Sequence, residues 1–350
     1  MTEYNIAILG ATGAVGRRIL ALLEETNIPI GNLKLLASAR SAGKTLPFKG
    51  TGLVIEEATP DSFNGVDLVL SSAGGNISKK FLPEAVKRGA VCVDNTSAFR
   101  MDPEIPLVVP EVNEDALVNH HGIIANPNCS TIQMVLALEP IREKFGLKRV
   151  IVSTYQAVSG AGQSAINELQ AENKAIAEND VQPEPQILPT AGDKKHYQIA
   201  VNLLPQIDVF EDDGYSHEEW KMIHETKKII LGEMNAPELK VTATCVRVPV
   251  AIGHGESVYI EVEDEKATSA EIQAVLQNAP GVVVQDDPKN QLYPQPITAA
   301  GKKETFVGRI RPDLETPGAF NMWIVSDNLL KGAAWNTVQI AERLVARNLL

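Results

Sequence analysis

Cysteine is scarce in this chain of 350 residues, which has only Cys92, Cys129 and Cys245. The three are odd in number and far apart, so they indicate neither a disulfide framework nor a CxxC metal site. The six histidines show no HExxH pattern or other paired-ligand spacing. The sequence therefore predicts no metal site.

Basic residues and long apolar runs are also in short supply. The chain has 32 Lys and Arg against 44 Asp and Glu, for a net charge of −12. Such a surface repels phosphates and argues against a nucleic-acid partner. No apolar run reaches the length of a membrane span, and the N-terminus lacks the basic flank and cleavage site of a signal peptide. We therefore expect a cytoplasmic protein with no membrane partner.

The first segment has the order of a dinucleotide-binding unit. A strand, a glycine turn and an amphipathic helix follow one another in YNIAILGATGAVGRRILALLEE, with glycines at Gly10, Gly13 and Gly16. Glycines let the backbone approach a pyrophosphate, whose charge meets free N–H groups at the helix start. A glycine turn that binds nothing is the alternative. The predicted cofactor contacts here are Gly10, Thr12, Gly13, Ala14 and Val15.

The second strand indicates which dinucleotide is bound. Sites for NAD usually have an Asp or Glu at its end, to hold the ribose 2′-hydroxyl. This strand is followed by Ser38, Arg40 and Ser41, with no acid before Glu56. An arginine flanked by hydroxyls suits a 2′-phosphate, which a carboxylate would repel. We therefore predict NADP; the alternative is a solvated surface arginine.

Two later strand-like segments, GVDLVLSS and VCVDNTSAFR, continue the alternating pattern. Ligands of open α/β sheets gather at the carboxyl ends of such strands. Ala73 and Gly74 would let the cofactor lie close to the chain. Arg100 closes the second segment and is a candidate anion clamp, although a structural ion pair is an equal alternative.

The second half has strands in succession, which indicates a mixed or antiparallel sheet. One stretch, KVTATCVRVPVAIGHGESVYIEVED, predicts two adjoining strands, and AENDVQPEPQILPTAGDKKHY predicts a long surface excursion. The expected fold is α/β, with a Rossmann-type dinucleotide-binding domain and an α+β catalytic and dimerisation domain. We predict the first domain at residues 1–127, completed by the C-terminal helix at 329–350, and the second at 128–328.

Cys129 stands where an N-P-N turn meets an apolar run, at the start of a predicted helix. The helix dipole and nearby N–H groups would stabilise its thiolate and hold an oxyanion formed by its attack on a carbonyl. His254, between two glycines, is a candidate proton acceptor, with a polar loop residue as the alternative. A nucleophilic cysteine beside a nicotinamide cofactor implies oxidation of an aldehyde through a thioester.

Over almost its whole length the chain resembles aspartate-β-semialdehyde dehydrogenase of the Gram-positive type. The resemblance rests on the motifs GATGAVG, SARSAGK, DNTSAFR, PNCSTIQ, STYQAVSGAG, EEWKM, RVPVAIGHGES and DNLLKGAAWN. It implies an NADP-dependent, phosphate-requiring interconversion of L-aspartate-4-semialdehyde and L-4-aspartyl phosphate, on the route to lysine, methionine and threonine. It also implies a homodimer, or a dimer of dimers.

The resemblance further implies a role for each matching residue. Cys129 would be the acyl-thioester nucleophile and His254 the general acid/base, while Gln156 would orient the acyl group. The expected substrate and phosphate ligands are Arg100, Asn128, Glu218, Lys221 and Arg247. Ser159, Gly160 and Asn328 would complete the cofactor site. Either Glu218, the preferred residue, or the adjacent Glu219 would meet the substrate ammonium.

Two alternatives remain open at this point. An N-acetyl-γ-glutamyl-phosphate reductase would share the fold and the cysteine–histidine chemistry, but it needs no acid for an ammonium group. A non-catalytic relative would have lost its nucleophile. The sequence does not decide between a dimer and a tetramer. It also gives no information on feedback regulation or on the extent of domain closure.

Overall fold

The computed structural model describes residues 2–350. Its strands are β1 (Tyr4–Leu9), β2 (Ile30–Ala37), β3 (Thr45–Phe48), β4 (Thr51–Glu57), β5 (Leu68–Ser71), β6 (Val91–Asp94), β7 (Ile123–Ala125), β8 (Arg149–Gln156), β9 (Lys240–Arg247), β10 (His254–Glu261), β11 (Val282–Val284), β12 (Thr305–Pro312) and β13 (Ala319–Ser326). Its α-helices are α1 (Ala14–Glu25), α2 (Gly75–Lys87), α3 (Pro110–Asn113), α4 (Cys129–Phe145), α5 (Gln163–Glu178), α6 (His217–Leu231), α7 (Ser269–Gln277), α8 (Pro296–Ala299) and α9 (Trp335–Ala346). Within this described range, no helix is both long and apolar enough to cross a membrane.

The chain forms two compact units. The first unit runs up to Asn128 and takes in Gly332–Leu350, and the second unit is Cys129–Lys331. The first boundary therefore falls directly before Cys129, the residue at which α4 begins.

The first unit is built on a seven-stranded sheet of order β3-β4-β2-β1-β5-β6-β7. All its neighbouring strands pair in parallel except β3, which pairs antiparallel with β4 at the edge. Strand β5 is buried at every position, as expected of a parallel strand covered on both faces. Helix α1 buries its apolar side, which includes Ile19 and Leu23. This sheet confirms the predicted Rossmann-type part of the fold.

The second unit contains a six-stranded mixed sheet of order β11-β12-β13-β10-β8-β9. The β8–β9 and β11–β12 pairs are parallel, and the other neighbours are antiparallel. Helices α4, α6 and α7 pack against the sheet. Helix α4 is buried around most of its circumference, which explains why its sequence reads as an apolar run without one polar face. The predicted mixed sheet is confirmed.

The prediction that the strands around AIGHG adjoin each other is wrong. Strand β8 lies between β9 and β10 and pairs with both of them. The connecting loop passes the end of β8 and bonds to the chain there, with Val158 N–H donating to the Val250 carbonyl at 2.9 Å. Three strands, rather than one strand-turn-strand unit, therefore contribute to this end of the sheet.

Candidate active site

Three predicted site residues lie side by side at one edge of the second unit's sheet. Gln156 ends β8 and pairs in parallel register with Arg247, which ends β9. His254 begins β10, which runs antiparallel to β8 and therefore starts where β8 ends. The strand order alone thus brings together an amide, a guanidinium and an imidazole that are distant in sequence.

Among the three cysteines only Cys129 is partly accessible. It is the first residue of α4, where the positive end of the helix dipole lies. Cys92 and Cys245 are fully buried, and burial raises the pKa of each thiol. Of the three thiols, Cys129 alone is suited to be a nucleophile.

Arg247 is a buried cation with one unused donor. Its Nη1 donates to the Ala157 carbonyl at 2.8 Å, and the side chain is almost inaccessible. Its Nε is buried without a partner among the described residues. Burial lowers the pKa of Arg247, while the charges of Glu218 and Cys129 oppose that shift. Because arginine stays protonated in proteins, it presents a fixed positive charge near the thiol.

His254 is a fully buried, neutral imidazole. Its Nδ1 accepts the Ala157 backbone N–H at 3.0 Å, so the neutral ring carries its proton on Nε2. That Nε2 has no partner among residues 2–350. Burial and then the charge of Arg247 lower the pKa of His254 to about 3, against the opposing effect of Glu218. At neutral pH the ring therefore offers an N–H donor to the site.

The structure distinguishes Glu218 from Glu219. Both oxygens of Glu219 accept backbone amides, from Ser216 at 2.7 Å and Cys245 at 2.9 Å. Glu218 is buried and instead accepts from Gln156 Nε2 at 3.1 Å and Lys221 Nζ at 2.9 Å. The geometry therefore favours Glu218 as the carboxylate that serves a ligand. The S-x-x-E capping-box pattern is the sequence signal that could have identified Glu219 as a structural residue.

Ser159, Gly160 and Asn328 line the turn that follows β8. Asn328 Nδ2 donates to Ser159 Oγ at 2.9 Å, and its Oδ1 accepts the Gly253 N–H at 2.9 Å. A Cβ added at Gly160 would lie 2.8 Å from Arg247 Nη1 and 3.5 Å from His254 Nε2. Asn328 thus joins two loops, and Gly160 leaves the space next to the buried donors.

In the first unit the glycine turn is shaped for a close ligand. Gly10 has φ +89°, and a Cβ there would lie 2.9 Å from the Ala73 backbone. Helix α1 begins after Gly13 with no side-chain cap and no acid in its first turn. Thr12, Val15 and the first helical residue, Ala14, are half-buried around this turn. The amides at this helix start are therefore free of competing side-chain acceptors, which fits a pyrophosphate.

The residues after β2 also fit a phosphate. Ser38 and Arg40 are exposed and Ser41 is half-buried, in a 3-10 turn at Ala39–Ser41. Arg40 forms no ion pair or side-chain hydrogen bond within the described part of the chain. Helix α2 likewise follows an exposed glycine, Gly74, without a side-chain cap.

The sequence predicted that Arg100 closes a strand, and this prediction is wrong. Strand β6 ends at Asp94, whose carboxylate accepts the Thr96 backbone N–H at 3.1 Å and so turns the chain. Arg100 lies in the following loop, where it donates to the carbonyls of Asn126 at 2.9 Å and Asn95 at 3.0 Å. Asn128, also predicted, is buried in the same unit.

Sequence reasoning missed three contributors to this site. Ser130 accepts from Gln156 Nε2 at 2.7 Å, and the Ala157 backbone binds both Arg247 and His254. Asp208 accepts from Lys221 Nζ at 3.0 Å. Ser130 adjoins the predicted cysteine and was within reach of a motif argument, whereas a backbone group and a loop aspartate carry no comparable signal.

Known families match both units. The model described as semialdehyde dehydrogenase, NAD binding domain, matches residues 5–120, and that described as semialdehyde dehydrogenase, dimerisation domain, matches residues 138–331. An NAD(P)-binding domain is therefore present.

Relatives cover the whole chain. Aspartate-semialdehyde dehydrogenase of Bacillus subtilis is 60% identical over 99% of both chains. Aspartate semialdehyde dehydrogenase II of Vibrio cholerae, complexed with ASA, superposes with a TM-score of 0.92 at 42% identity over 99% of each chain. The Candida albicans enzyme with NADP gives a TM-score of 0.77 at 28% identity over 100% of each chain. The chain therefore belongs to the aspartate-semialdehyde dehydrogenase family of oxidoreductases.

Proposed function

We propose that this chain catalyses the NADP-dependent, phosphate-requiring interconversion of L-aspartate-4-semialdehyde and L-4-aspartyl phosphate, in the biosynthesis of lysine, methionine and threonine. One observation carries the proposal. The helix-start thiol of Cys129 shares a unit with two buried N–H groups, Arg247 Nε and His254 Nε2, that lack partners among the described residues. The ASA bound to the Vibrio cholerae relative supports the same substrate here.

In the oxidative direction the Cys129 thiolate attacks the aldehyde carbon, and the carbonyl electrons move to oxygen. The resulting oxyanion needs donors, and His254 Nε2–H is a neutral donor of the right kind. When bound, NADP supplies the hydride acceptor that converts the thiohemiacetal to a thioester. Phosphate then attacks the acyl carbon and the thiolate leaves. Because the low pKa of His254 keeps its ring neutral, we propose that it acts as an oxyanion donor and does not become an imidazolium, in place of the general acid/base role predicted from the sequence.

The charged residues suit an amino-acid fragment and a phosphate. Arg247 would hold the α-carboxylate through its unused Nε and the planar guanidinium, and Glu218 would bind the α-ammonium. Gln156, fixed by Ser130 and Glu218, would orient the acyl group. We propose Lys221 as a phosphate ligand. Arg100 and Asn128 are proposed as substrate or phosphate ligands on the strength of the family motifs alone.

An acetylated substrate fits these residues less well. N-acetyl-γ-glutamyl phosphate has no ammonium group, so a reductase for it would gain nothing from burying Glu218 at the site. The relatives named aspartate-semialdehyde dehydrogenase favour the same conclusion.

NADP is proposed over NAD because of the residues after β2. The exposed, unpaired Arg40 with Ser38 and Ser41 would bind the 2′-phosphate, while Gly10, Thr12, Gly13, Ala14 and Val15 would meet the pyrophosphate. Ala73, Gly74, Ser159, Gly160 and Asn328 are proposed as the remaining cofactor contacts. The Candida albicans relative with NADP supports this choice.

We also propose a homodimer formed through the sheet face of the second unit. Ile151 and Tyr155 lie four residues apart on the same face of strand β8, and both are about two-fifths exposed. The Tyr155 ring packs on Trp323 with centroids 5.4 Å apart. An apolar sheet face of this kind is typical of an interface between subunits. The match to a dimerisation domain supports a dimer.

Replacing Cys129 by serine tests the proposed reaction. The wild-type protein should reduce NADP in repeated turnovers only when both semialdehyde and phosphate are present, and at most once per site without phosphate. Cys129→Ser should lower kcat by at least about a thousandfold, because an alcohol is a far weaker nucleophile than a thiolate. Cys245→Ser is the matched control and should stay active. Fluorescence titration should give the same NADPH affinity for all three proteins, and phosphate-independent turnover would contradict the proposal.

The protonation state of His254 is open to direct measurement. In 15N-correlated NMR spectra His254 should keep the Nε2–H tautomer from about pH 8 to about pH 5, because its folded pKa lies far below the ordinary value near 6.5. The unfolded chain would take up the proton first, so this histidine should make folding less favourable as pH falls below about 6.5. An imidazolium signal from His254 near neutral pH would refute this account.

Cofactor choice is predicted to depend on Arg40. Arg40→Asp should lower the ratio of kcat/KM for NADP to that for NAD by about tenfold or more, because a carboxylate repels the 2′-phosphate and accepts a 2′-hydroxyl. Lys44→Asp, which makes the same charge change nearby on the chain, should alter the ratio much less. Equal effects of the two substitutions would place recognition of the 2′-phosphate elsewhere.

Assembly is tested by charging the exposed sheet face. Ile151→Asp should shift the protein from dimer to monomer in light scattering after gel filtration, because an unpaired carboxylate is costly in an apolar interface. Leu314→Asp, at a residue 97% exposed on the loop between β12 and β13, should leave the dimer intact. A dimeric Ile151→Asp protein would rule out this face.

A further inference from the structure

Asp208 is an aspartate outside the sequence motifs that contacts a proposed phosphate ligand. Its Oδ2 is 3.0 Å from Lys221 Nζ, and the same ammonium lies 2.9 Å from Glu218 Oε2. The side chains of Lys221 and Glu218 are 12% and 6% exposed, and that of Asp208 is 39% exposed. One largely buried ammonium is thus bound by two carboxylates.

The loop holds Asp208 in an unusual backbone conformation. Its φ is +69°, in the left-handed region that non-glycine residues seldom adopt. Its Oδ1 accepts the Val209 N–H at 3.0 Å, and its carbonyl accepts from Gln206 Nε2 at 3.2 Å. Surrounding contacts are needed to maintain such a conformation, and here the conformation directs the carboxylate onto Lys221.

Asp208 is ionised at neutral pH. Partial burial alone would raise its pKa, but the charge and hydrogen bond of Lys221, aided by the Val209 amide and His217, lower the pKa overall. The groups facing it are therefore cationic or neutral donors, and the carboxylate is a lasting counter-charge for Lys221.

Glu218 and Asp208 have different proposed roles in the reaction, because only Glu218 binds the substrate ammonium. If the function proposed above is correct, the substrate ammonium binds Glu218, which already binds Lys221. Two ammonium groups would then compete for one carboxylate. A poorly exposed lysine that loses a partner needs another one, since an uncompensated buried charge is costly.

We propose that Asp208 is a positioning residue that retains Lys221 when the substrate ammonium takes its place on Glu218. Through this exchange the free enzyme keeps Glu218 paired, and the substrate-bound enzyme keeps Lys221 paired. Asp208 itself touches neither substrate, and the inference rests on the proposed function of the site.

Asp208→Asn tests the exchange, because it preserves the shape and removes the charge. Lys221 should then hold Glu218 more firmly and compete with the substrate. The KM for the semialdehyde should rise by about threefold to tenfold, the range of a partly buried ion pair, while kcat changes by less than about twofold. The KM for phosphate should not rise, since the substitution removes a carboxylate that partly neutralises the Lys221 ammonium.

Two further variants separate this role from a structural one. Asp208→Glu keeps the charge and should return the semialdehyde KM most of the way to the wild-type value. Asp212→Asn removes a charge from the same exposed loop and should have no effect. An unchanged semialdehyde KM in Asp208→Asn, or parallel losses in both KM values and kcat, would overturn the inference while wild-type turnover persists. A wild-type protein without phosphate- and NADP-dependent turnover would instead overturn the proposed function.

Discussion

The backbone of Ala157 is the contact on which the rest of the site depends. Its carbonyl accepts from Arg247 and its N–H donates to the His254 imidazole, so one residue orients both buried basic side chains. Its position directly after β8, between β9 and β10, makes this possible. Because both side chains are buried and bonded to Ala157, their two remaining N–H groups are held in fixed directions.

Burial strengthens the hydrogen bonds that the His254 and Arg247 N–H groups can donate, and it also restricts the protonation state of each side chain. His254 cannot gain a proton on Nδ1 without breaking its bond from Ala157, and the low dielectric and the Arg247 charge disfavour the imidazolium further. The ring is therefore a fixed donor. Arg247 keeps its charge in the same surroundings, so the unit that contains Cys129 holds one permanent cation and one neutral N–H donor.

The sequence was most informative where chemistry requires particular residue types. The glycine turn before α1 and the cysteine at the start of α4 could be predicted because strand, turn and helix signals coincide there. Strand order could not be predicted, since short apolar segments do not indicate their neighbours. For that reason the prediction that β9 and β10 lie next to each other was wrong. The position of Arg100 was also predicted wrongly, because an aspartate turn at Asp94 ends the strand early. Asp208 was out of reach because its role depends on a left-handed backbone within a loop of irregular structure.

The central claim is that Cys129 carries the aspartyl group, and mass spectrometry of the intact protein tests it most directly. With semialdehyde and NADP but no phosphate, the wild-type protein should gain the mass of one aspartyl group, located on the peptide that contains Cys129. Adding phosphate should restore the original mass. Turnover with no such adduct, or an adduct on another residue, would contradict the account.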